Sequence, residues 1–310
     1  MHLAVYLPLL FPLLAALSAG PLASRLEPRL ATWLLTAAGL VLATSSTLVL
    51  GLLALAGLVR IPLVAALKDY SPDVIAREDP AAWPAALAGA ILLTLAAIAT
   101  VRLTARRAGA LWSAALDAAC MPGADSVVIT EDDGADAYAM PGLPGRIVIS
   151  HGMLDALDAD GRNILLAHEH AHLRHHHYAF VTLAQVCAAA NPLLRPLANA
   201  VAYTVERWAD EHAAHHTGNR RAVAETVATA ALATKRTRNR RRIPTVALGM
   251  LGRPAKPGMV PRRVAALLAP PPHNPPLLLL AAGVLLAASS LCALEAAHDL
   301  HQFLELAHAH

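Results

Sequence analysis

Four stretches of the chain are apolar from end to end and carry no charged side chain. They cover residues 3–19, 30–59, 83–101 and 277–294. A helix needs about 20 mostly apolar residues to cross the hydrocarbon core of a bilayer, and each stretch is close to or above that length. The pattern therefore predicts a mainly α membrane protein with about four transmembrane helices, three early in the chain and one near its end.

The first stretch has an alternative interpretation as a cleaved signal peptide. Signal peptides place basic residues ahead of their apolar region. Here no Lys or Arg precedes residue 3, and Pro8 and Pro12 interrupt the apolar run. These features favour a retained span.

Mixed polar and apolar periodicity fills the interval between the third and fourth spans. Runs rich in β-branched residues predict strands over 126–130 and 146–150. Helices are predicted over 159 to about 175 with Asp158 as N-cap, over about 199–217 with Gly218 as C-cap, and over 222–233. The chain thus divides into a three-span region (1–104), an α+β domain (105–268), and a proline-rich linker with the fourth span and a short tail (269–310).

Composition and charge place these parts relative to a membrane. Hydrophobic residues make up 56% of the chain and charged residues only 15%, which excludes an ordinary soluble domain of this size. Basic residues accumulate between spans one and two and between spans three and four, whereas the loop 60–82 balances basic with acidic residues. The positive-inside rule then predicts a multi-pass protein of the cell membrane with the N-terminus and C-terminal tail outside and the α+β domain in the cytoplasm.

The first predicted helix of that domain contains the sequence His168-Glu169-His170-Ala171-His172. Residues four apart share a helix face, so the imidazoles of His168 and His172 can meet one metal ion while Glu169 faces the neighbouring water. The three cysteines form no C-x-x-C pair and suggest no competing metal site. The spacing predicts two zinc ligands and a general base.

The next predicted helix carries the residues that complete such a site. A catalytic zinc has three protein ligands and one open position, and Glu206 can supply the third ligand. Asp210 lies four residues further on the same face, where it can accept a hydrogen bond from the outer N–H of a ligating imidazole. We therefore expect one Zn²⁺ per chain and hydrolysis of peptide bonds.

Histidines elsewhere in this region receive separate predictions. His175 and His176 are expected to continue the ligand face of the helix, and His170 and His177 to point away into solvent. His212, His215 and His216 follow Asp210 closely, and the sequence leaves open which of them, if any, stabilises an oxyanion.

Residues 178–205 form a further apolar segment, which is apolar enough to be considered as a fifth span. Asn191, Pro192 and Arg195 lie near its middle, and broken or charged backbone exposed to lipid is costly. A single crossing would also separate the two halves of the zinc site. We expect two helices hinged at Asn191-Pro192, in the core or at the membrane surface.

These motifs resemble the membrane-embedded zinc metallopeptidases, gluzincins that include the HtpX heat-shock protease, the CAAX prenyl endopeptidase and the BlaR/MecR-type antirepressor proteases. The resemblance covers about residues 136–268. His168-Glu169-x-x-His172 and Glu206-x-x-x-Asp210 match ligand for ligand, and Asp136 stands where the family has Asn. The remaining matches are Asp136–Ala139 with the N-A-F-A edge strand, Arg146–Leu154 with the strand and turn before the active-site helix, and Arg262–Leu268 with a basic and apolar segment near the end of the BlaR-type domain.

The resemblance implies a zincin-like fold, a protein or peptide substrate and a substrate-binding edge strand at Ala137, Tyr138 and Ala139. Three spans before the domain and one after it are more similar to the BlaR type, which implies cleavage of a cytoplasmic transcriptional repressor. HtpX-like quality control of membrane proteins is the alternative. Only a short segment follows the fourth span, so we expect no external sensor domain, and a signal would enter through the spans, the loop 60–82 or a partner.

Other classes of function fit the pattern less well. A metal transporter would place its ligands within apolar spans, and a non-catalytic scaffold would need no Glu169. The basic run 235–242 lacks interleaved aromatic residues and a DNA-reading motif, which favours a solvated linker or contact with the lipid bilayer over nucleic acid. The substrate, the signal and the oligomeric state stay open.

Overall fold

A computed structural model describes residues 7–58, 82–121, 126–240, 258–271 and 276–308. The loop 60–82, except for its last residue, and the end of the basic run at 241–242 lie outside these ranges. In chain order the described elements are α1 (Leu7–Arg25), α2 (Pro28–Leu58), α3 (Ala82–Cys120), β1 (Val127–Thr130), β2 (Ala137–Met140), β3 (Arg146–Ser150), α4 (His151–Ala156), α5 (Ala159–Arg174), α6 (His177–Ala190), α7 (Arg195–Thr217), α8 (Arg220–Arg240), α9 (Met259–Leu268) and α10 (Pro276–His308), with a 3₁₀ turn (Pro192–Leu194) between α6 and α7.

Four of the described helices, α1, α2, α3 and the first part of α10, are long and apolar enough to cross a membrane, in agreement with the predicted number. Helices α1 and α2 are joined through Leu26 and Glu27 and run side by side, so that Leu9 packs against Val49 and Leu53. Helix α3 approaches α2 closely, because a Cβ atom on Gly57 would lie only 2.5 Å from the Cβ of Ala86. The spans therefore form a packed bundle.

Helix α3 continues well beyond the membrane span, through the predicted domain boundary at 104–105. Its far end carries Ala118, which packs against Met140 and Val148 of the sheet. A single helix thus connects the transmembrane region with the α+β part.

The sheet has the strand order β1-β3-β2. The buried β-branched run Ile147-Val148-Ile149 makes β3 the central strand, with β1 parallel to it and β2 antiparallel. The strands predicted at 126–130 and 146–150 are confirmed to within one residue. Since β2 pairs only with β3 among the described residues, it lies at an edge of the sheet.

Helix boundaries follow local capping chemistry. Asp158 caps α5 as predicted, and its carboxylate accepts a hydrogen bond from the N–H of Gly161 at 2.8 Å. Gly218 ends α7 in the left-handed region (φ 68°), also as predicted. Helix α7 begins at Arg195 instead of about 199, because the 3₁₀ turn and Pro196 in the first helical turn start it early.

The basic run is helical as far as Arg240 and is not the linker that the sequence predicted, although Lys235 and Arg236 are exposed. Helix α8 does not end near 233 but continues to Arg240, since Lys and Arg are good helix formers. The hydroxyl of Thr234 donates to the carbonyl of Ala135 at 2.8 Å, and the hydroxyl of Thr237 accepts from the N–H of Ala135. The helix thereby fixes the loop that leads into β2.

The segment 178–205 is broken into α6 and α7 at Asn191-Pro192, as expected for a hinge. Both helices share an apolar core with α1 and α2. At one end of this contact, the guanidinium of Arg207 donates to the carbonyl of Ala23 at 2.9 Å. Helix α7, which carries Glu206, is therefore packed directly on the membrane spans.

Candidate metal centre

Three predicted ligands meet where α5 crosses α7. The Nε2 atoms of His168 and His172 lie 3.1 Å apart. The carboxylate oxygens of Glu206 lie 3.8 Å from each of these nitrogens. The three side chains form a group whose ligand atoms all lie within 4.8 Å of one another.

This arrangement fits a zinc ion. Two nitrogens that each bind a tetrahedral zinc at 2.0–2.1 Å are about 3.3 Å apart, close to the spacing of the two imidazoles. Two imidazoles and one carboxylate also form a donor set that zinc hydrolases use, with a fourth position left for water. Burial lowers the pKa of His172 well below its usual value, which keeps this imidazole in the neutral form that binds metal.

Glu169 is buried beside these ligands and next to strand β2. Burial, with the charge of Glu206, raises the pKa of its carboxyl group, while His168, Arg263 and a hydrogen bond from the backbone of Ala139 oppose the rise. A raised pKa suits a group that must take up and release a proton near neutral pH. The contact also places the predicted substrate strand, Ala137 to Ala139, next to the candidate base.

Asp210 lies behind His168, where the sequence predicts it. Its Oδ1 atom is 3.1 Å from Nδ1 of His168. Burial favours the neutral form of Asp210, but the charge and hydrogen bonds of Arg263 outweigh burial and hold the pKa below its usual range. The carboxylate stays ionised and can orient the imidazole.

Arg263 on α9 joins the site, although the sequence analysis placed it only in the basic and apolar segment 262–268 and assigned it no role at the metal centre. Its Nε and Nη2 atoms donate to the two carboxylate oxygens of Asp210 at 2.7 and 2.6 Å. Its Nη1 atom lies 2.8 Å from Oε2 of Glu206. One buried guanidinium therefore fixes the carboxylates of both Asp210 and Glu206. The available signal was an arginine four residues before Leu267, on the buried face of a short amphipathic helix.

His177 contradicts the prediction that it points into solvent. Only 1% of its surface is exposed, and its Nδ1 atom lies 3.0 Å from Nδ1 of His172. Helix α5 ends at Arg174, and His176 adopts a left-handed conformation (φ 50°), so a new helix starts at His177 with a different face inward. Helical spacing from His168 does not extend across that turn.

The expected continuation of the ligand face is also wrong, for the same reason. His175 stacks on Trp208 with the ring centres 4.8 Å apart, and His176 is exposed. His212 lies 5.5 Å from His175, ring centre to ring centre. His170 is exposed as predicted. His215 and His216, whose role the sequence left open, are exposed near the end of α7.

The contact between His172 and His177 restricts their tautomers. If Nε2 of His172 binds a metal, its proton is on Nδ1 and Nδ1 of His177 must accept it. We expect His177→Phe, which has no acceptor, to weaken zinc binding about 10–100-fold, as loss of an outer hydrogen-bond partner does. We expect His177→Asn, whose amide oxygen can replace Nδ1, to bind zinc nearly as well as the native chain.

Competition with a chromophoric chelator measures both affinities on the purified full chain. The same loss in the Asn and Phe variants would assign His177 to packing alone. Unchanged affinity in both variants would remove it from the metal centre.

Comparison with known families agrees with this geometry for part of the chain. Residues 103–194 match the model of Peptidase family M48. The comparisons with curated proteins and with solved structures found no match. The matched part includes the sheet and the helix with His168, Glu169 and His172, and it ends before Glu206. The match supports a membrane-type zinc metallopeptidase, and such a protease acts on protein or peptide substrates.

Proposed function

We propose that this protein is an integral membrane zinc metalloendopeptidase. The convergence of His168, His172 and Glu206, with Glu169 buried beside them, is the observation that carries the proposal. The family match over the first half of this site supports it independently. Four helices of spanning length attach the site to a membrane.

Each residue of the site has a chemical role in this proposal. His168, His172 and Glu206 would hold Zn²⁺, which when bound would supply Lewis-acid polarisation of the scissile carbonyl and activation of a water. Glu169 would act as the general base that takes a proton from the attacking water and returns it to the leaving amine. Asp210 orients His168, and Arg263 keeps Asp210 and Glu206 in place.

Strand β2 is the proposed binding site for the substrate backbone. It is an edge strand, and an extended peptide can pair with such an edge through main-chain hydrogen bonds. Ala137, Tyr138 and Ala139 would line this contact, with Ala139 already bonded to the base Glu169. A peptide on β2 would therefore lie close to the catalytic carboxylate.

The arginine and lysine distribution supports a cytoplasmic metal centre, with the N-terminus and the C-terminal tail outside. Single cysteines at Ser24 and Ser71, in a background without native cysteines, test this orientation. Ser24 is exposed at the end of α1, on the side of the metal centre, and Ser71 lies outside the described residues. We expect an impermeant thiol reagent added to intact cells to label position 71 and not position 24. The opposite pattern would place the metal centre outside the cell.

We further propose that the substrate is a cytoplasmic protein, such as a transcriptional repressor. Three spans before the catalytic region and one after it support this regulatory role over membrane quality control. Quantitative proteomics of cells with the native chain or with Glu169→Gln tests it. We expect one DNA-binding repressor to be stabilised in the variant. Broad accumulation of damaged membrane proteins, with no repressor among them, would instead support quality control.

A further inference from the structure

Helices α6 and α7, joined by the 3₁₀ turn, form a hairpin that contacts α2 at three positions. These positions along α2 show how deep the α6–α7 hairpin lies relative to the span, and a position along the span axis is called a height below. The hydroxyls of Thr32 and Thr204 lie 2.9 Å apart, near the level of the candidate metal centre. Further along, a Cβ atom on Gly39 would lie 3.2 Å from the side chain of Leu197. Furthest along, the amide of Asn191 donates to the hydroxyl of Ser46 at 3.1 Å.

The hairpin therefore runs a long way down the span. At a rise of 1.5 Å per residue, Ser46 lies about 21 Å beyond Thr32 along α2. The tip, which contains Asn191, is the part of the hairpin furthest from the metal centre. A hairpin that lay on the surface of the membrane would contact α2 over a much shorter length and would not reach the middle of the span.

Neighbouring spans expose large apolar side chains at the height of the tip. Leu9 packs on Val49 and Leu53, so the helical turns of α1 that follow lie opposite the part of α2 around Ser46. On α3, a Cβ atom on Gly89 would lie 2.9 Å from the Cβ of Leu53, which places the following turns of α3 at the same height. Exposed at 43–59% on these turns are Leu10, Leu13, Leu14, Ile91, Leu92, Leu95 and Ile98. Contiguous apolar surface on two spans marks the hydrocarbon of a bilayer.

The tip itself is built for an apolar environment. Pro192 and Leu193 face outward, and 41% of the Leu193 surface is exposed. The backbone N–H of Asn191 donates to the carbonyl of Cys187, and the side chain of Asn191 accepts from the N–H of Leu193. Irregular backbone is tolerated at membrane depth only where its polar groups are satisfied in this way.

Two exposed arginines bound this region on the side of the metal centre. Asn191 contacts Ser46 of α2 and Leu197 contacts Gly39. Arg195 lies between Asn191 and Leu197 in the chain, so its height is between those of Ser46 and Gly39. Arg102 ends the charge-free part of α3, nine residues and about 14 Å beyond Leu93. Leu93 lines an apolar crevice together with Leu48 and Val186, so Arg102 reaches a height similar to that of Arg195. Long basic side chains at such a level reach lipid phosphates while their stems stay in the apolar layer.

We propose that the α6–α7 hairpin is re-entrant, with its tip at residues 186–193 inserted into the lipid acyl chains from the side of the metal centre. The lipid is the partner of this surface, because the tip shares its height with the outward leucines of α1 and α3. Insertion anchors α7, which carries Glu206, and holds the metal centre at a fixed short distance from the membrane surface. This inference depends on the spans and does not require peptidase activity.

Site-directed spin labels on the full chain in phosphatidylcholine vesicles test the insertion. In a background without native cysteines, labels at Leu193, at Leu14 on the lipid face of α1 and at His216 at the exposed end of α7 are compared. Oxygen concentrates in hydrocarbon and a polar nickel chelate in water. We expect the oxygen-to-nickel accessibility ratio at Leu193 to match that at Leu14 and to exceed that at His216 about tenfold.

A ratio at Leu193 equal to that at His216 would overturn the proposal. If Leu193→Cys does not fold, a label at Pro192, which is also exposed at the tip, gives the same comparison. Because the measurement involves no substrate, it also separates this proposal from the proposed peptidase function.

Discussion

Glu169→Gln is expected to abolish peptide hydrolysis while leaving about one zinc per chain. The amide has nearly the same shape as the carboxylate but cannot take a proton from water, and loss of a general base costs about 10²–10⁴-fold in rate. Glu169 is not one of the three ligand residues, so the metal should stay bound. Hydrolysis of an unfolded protein substrate and elemental analysis of the purified full chain measure the two effects separately.

Three variants make this expectation specific. His168→Ala and Glu206→Ala should lose both zinc and activity, because each removes a ligand. Glu225→Gln is the matched control, since Glu225 is exposed and, among the described residues, pairs with Arg221 one turn away. Full activity in Glu169→Gln would exclude the proposed mechanism, and loss of zinc in that variant would assign Glu169 to the metal instead of to the water.

Local sequence signals predicted those parts of the site that lie on single helices. His168, Glu169 and His172 share one turn of α5, whose start is marked by Asp158, so their mutual placement follows from helix geometry. Glu206 and Asp210 are likewise one turn apart on α7. That α5 and α7 meet at these residues was expected from the three protein ligands that a catalytic zinc needs, and the resemblance to known peptidases supported it, since no local pattern encodes a contact between helices.

The positions of the two residues that the sequence analysis missed, Arg263 and His177, are set by how separate helices are connected and packed. Arg263 meets Asp210 across 53 residues of sequence, and its partner is fixed only when α9 packs against α7. His177 turns inward because His176 takes a left-handed conformation, which the histidine-rich sequence does not signal. Helical periodicity predicts contacts within one continuous helix, so it could not identify the partner of either residue.

The hydropathy pattern shows the same division for the fold. It located the four spans and the break at Asn191-Pro192, which depend on local composition. It did not predict how deep the resulting hairpin lies beside α2, because that depth is set by distant pairs such as Ser46 with Asn191. It also ended α8 too early, since the threonines at 234 and 237 bond to the backbone of Ala135 and hold the basic run in the helix.

Arg263→Met should strongly destabilise the protein. Removing one partner of a buried, hydrogen-bonded ion pair leaves an uncompensated charge and lowers the free energy of unfolding by about 3–5 kcal/mol. Asp210 would be left buried behind His168 without its guanidinium partner. Denaturant unfolding of the full chain in detergent measures the stability, and chelator competition measures the accompanying loss of zinc affinity.

Arg262→Met is the matched control, because Arg262 is adjacent and exposed, and the contact described for its side chain is with the ring face of Tyr203 at 4.3 Å. A cation–π contact at such a site contributes about 0.5–1 kcal/mol. The double substitution Asp210→Asn with Arg263→Met should recover stability, since no buried charge is then unpaired, yet should not recover zinc affinity, since Glu206 still lacks its guanidinium partner. Equal effects of Arg262→Met and Arg263→Met on stability and zinc affinity would contradict this prediction. They would show that the ion pairs of Arg263 with Asp210 and Glu206 do not stabilise the metal centre.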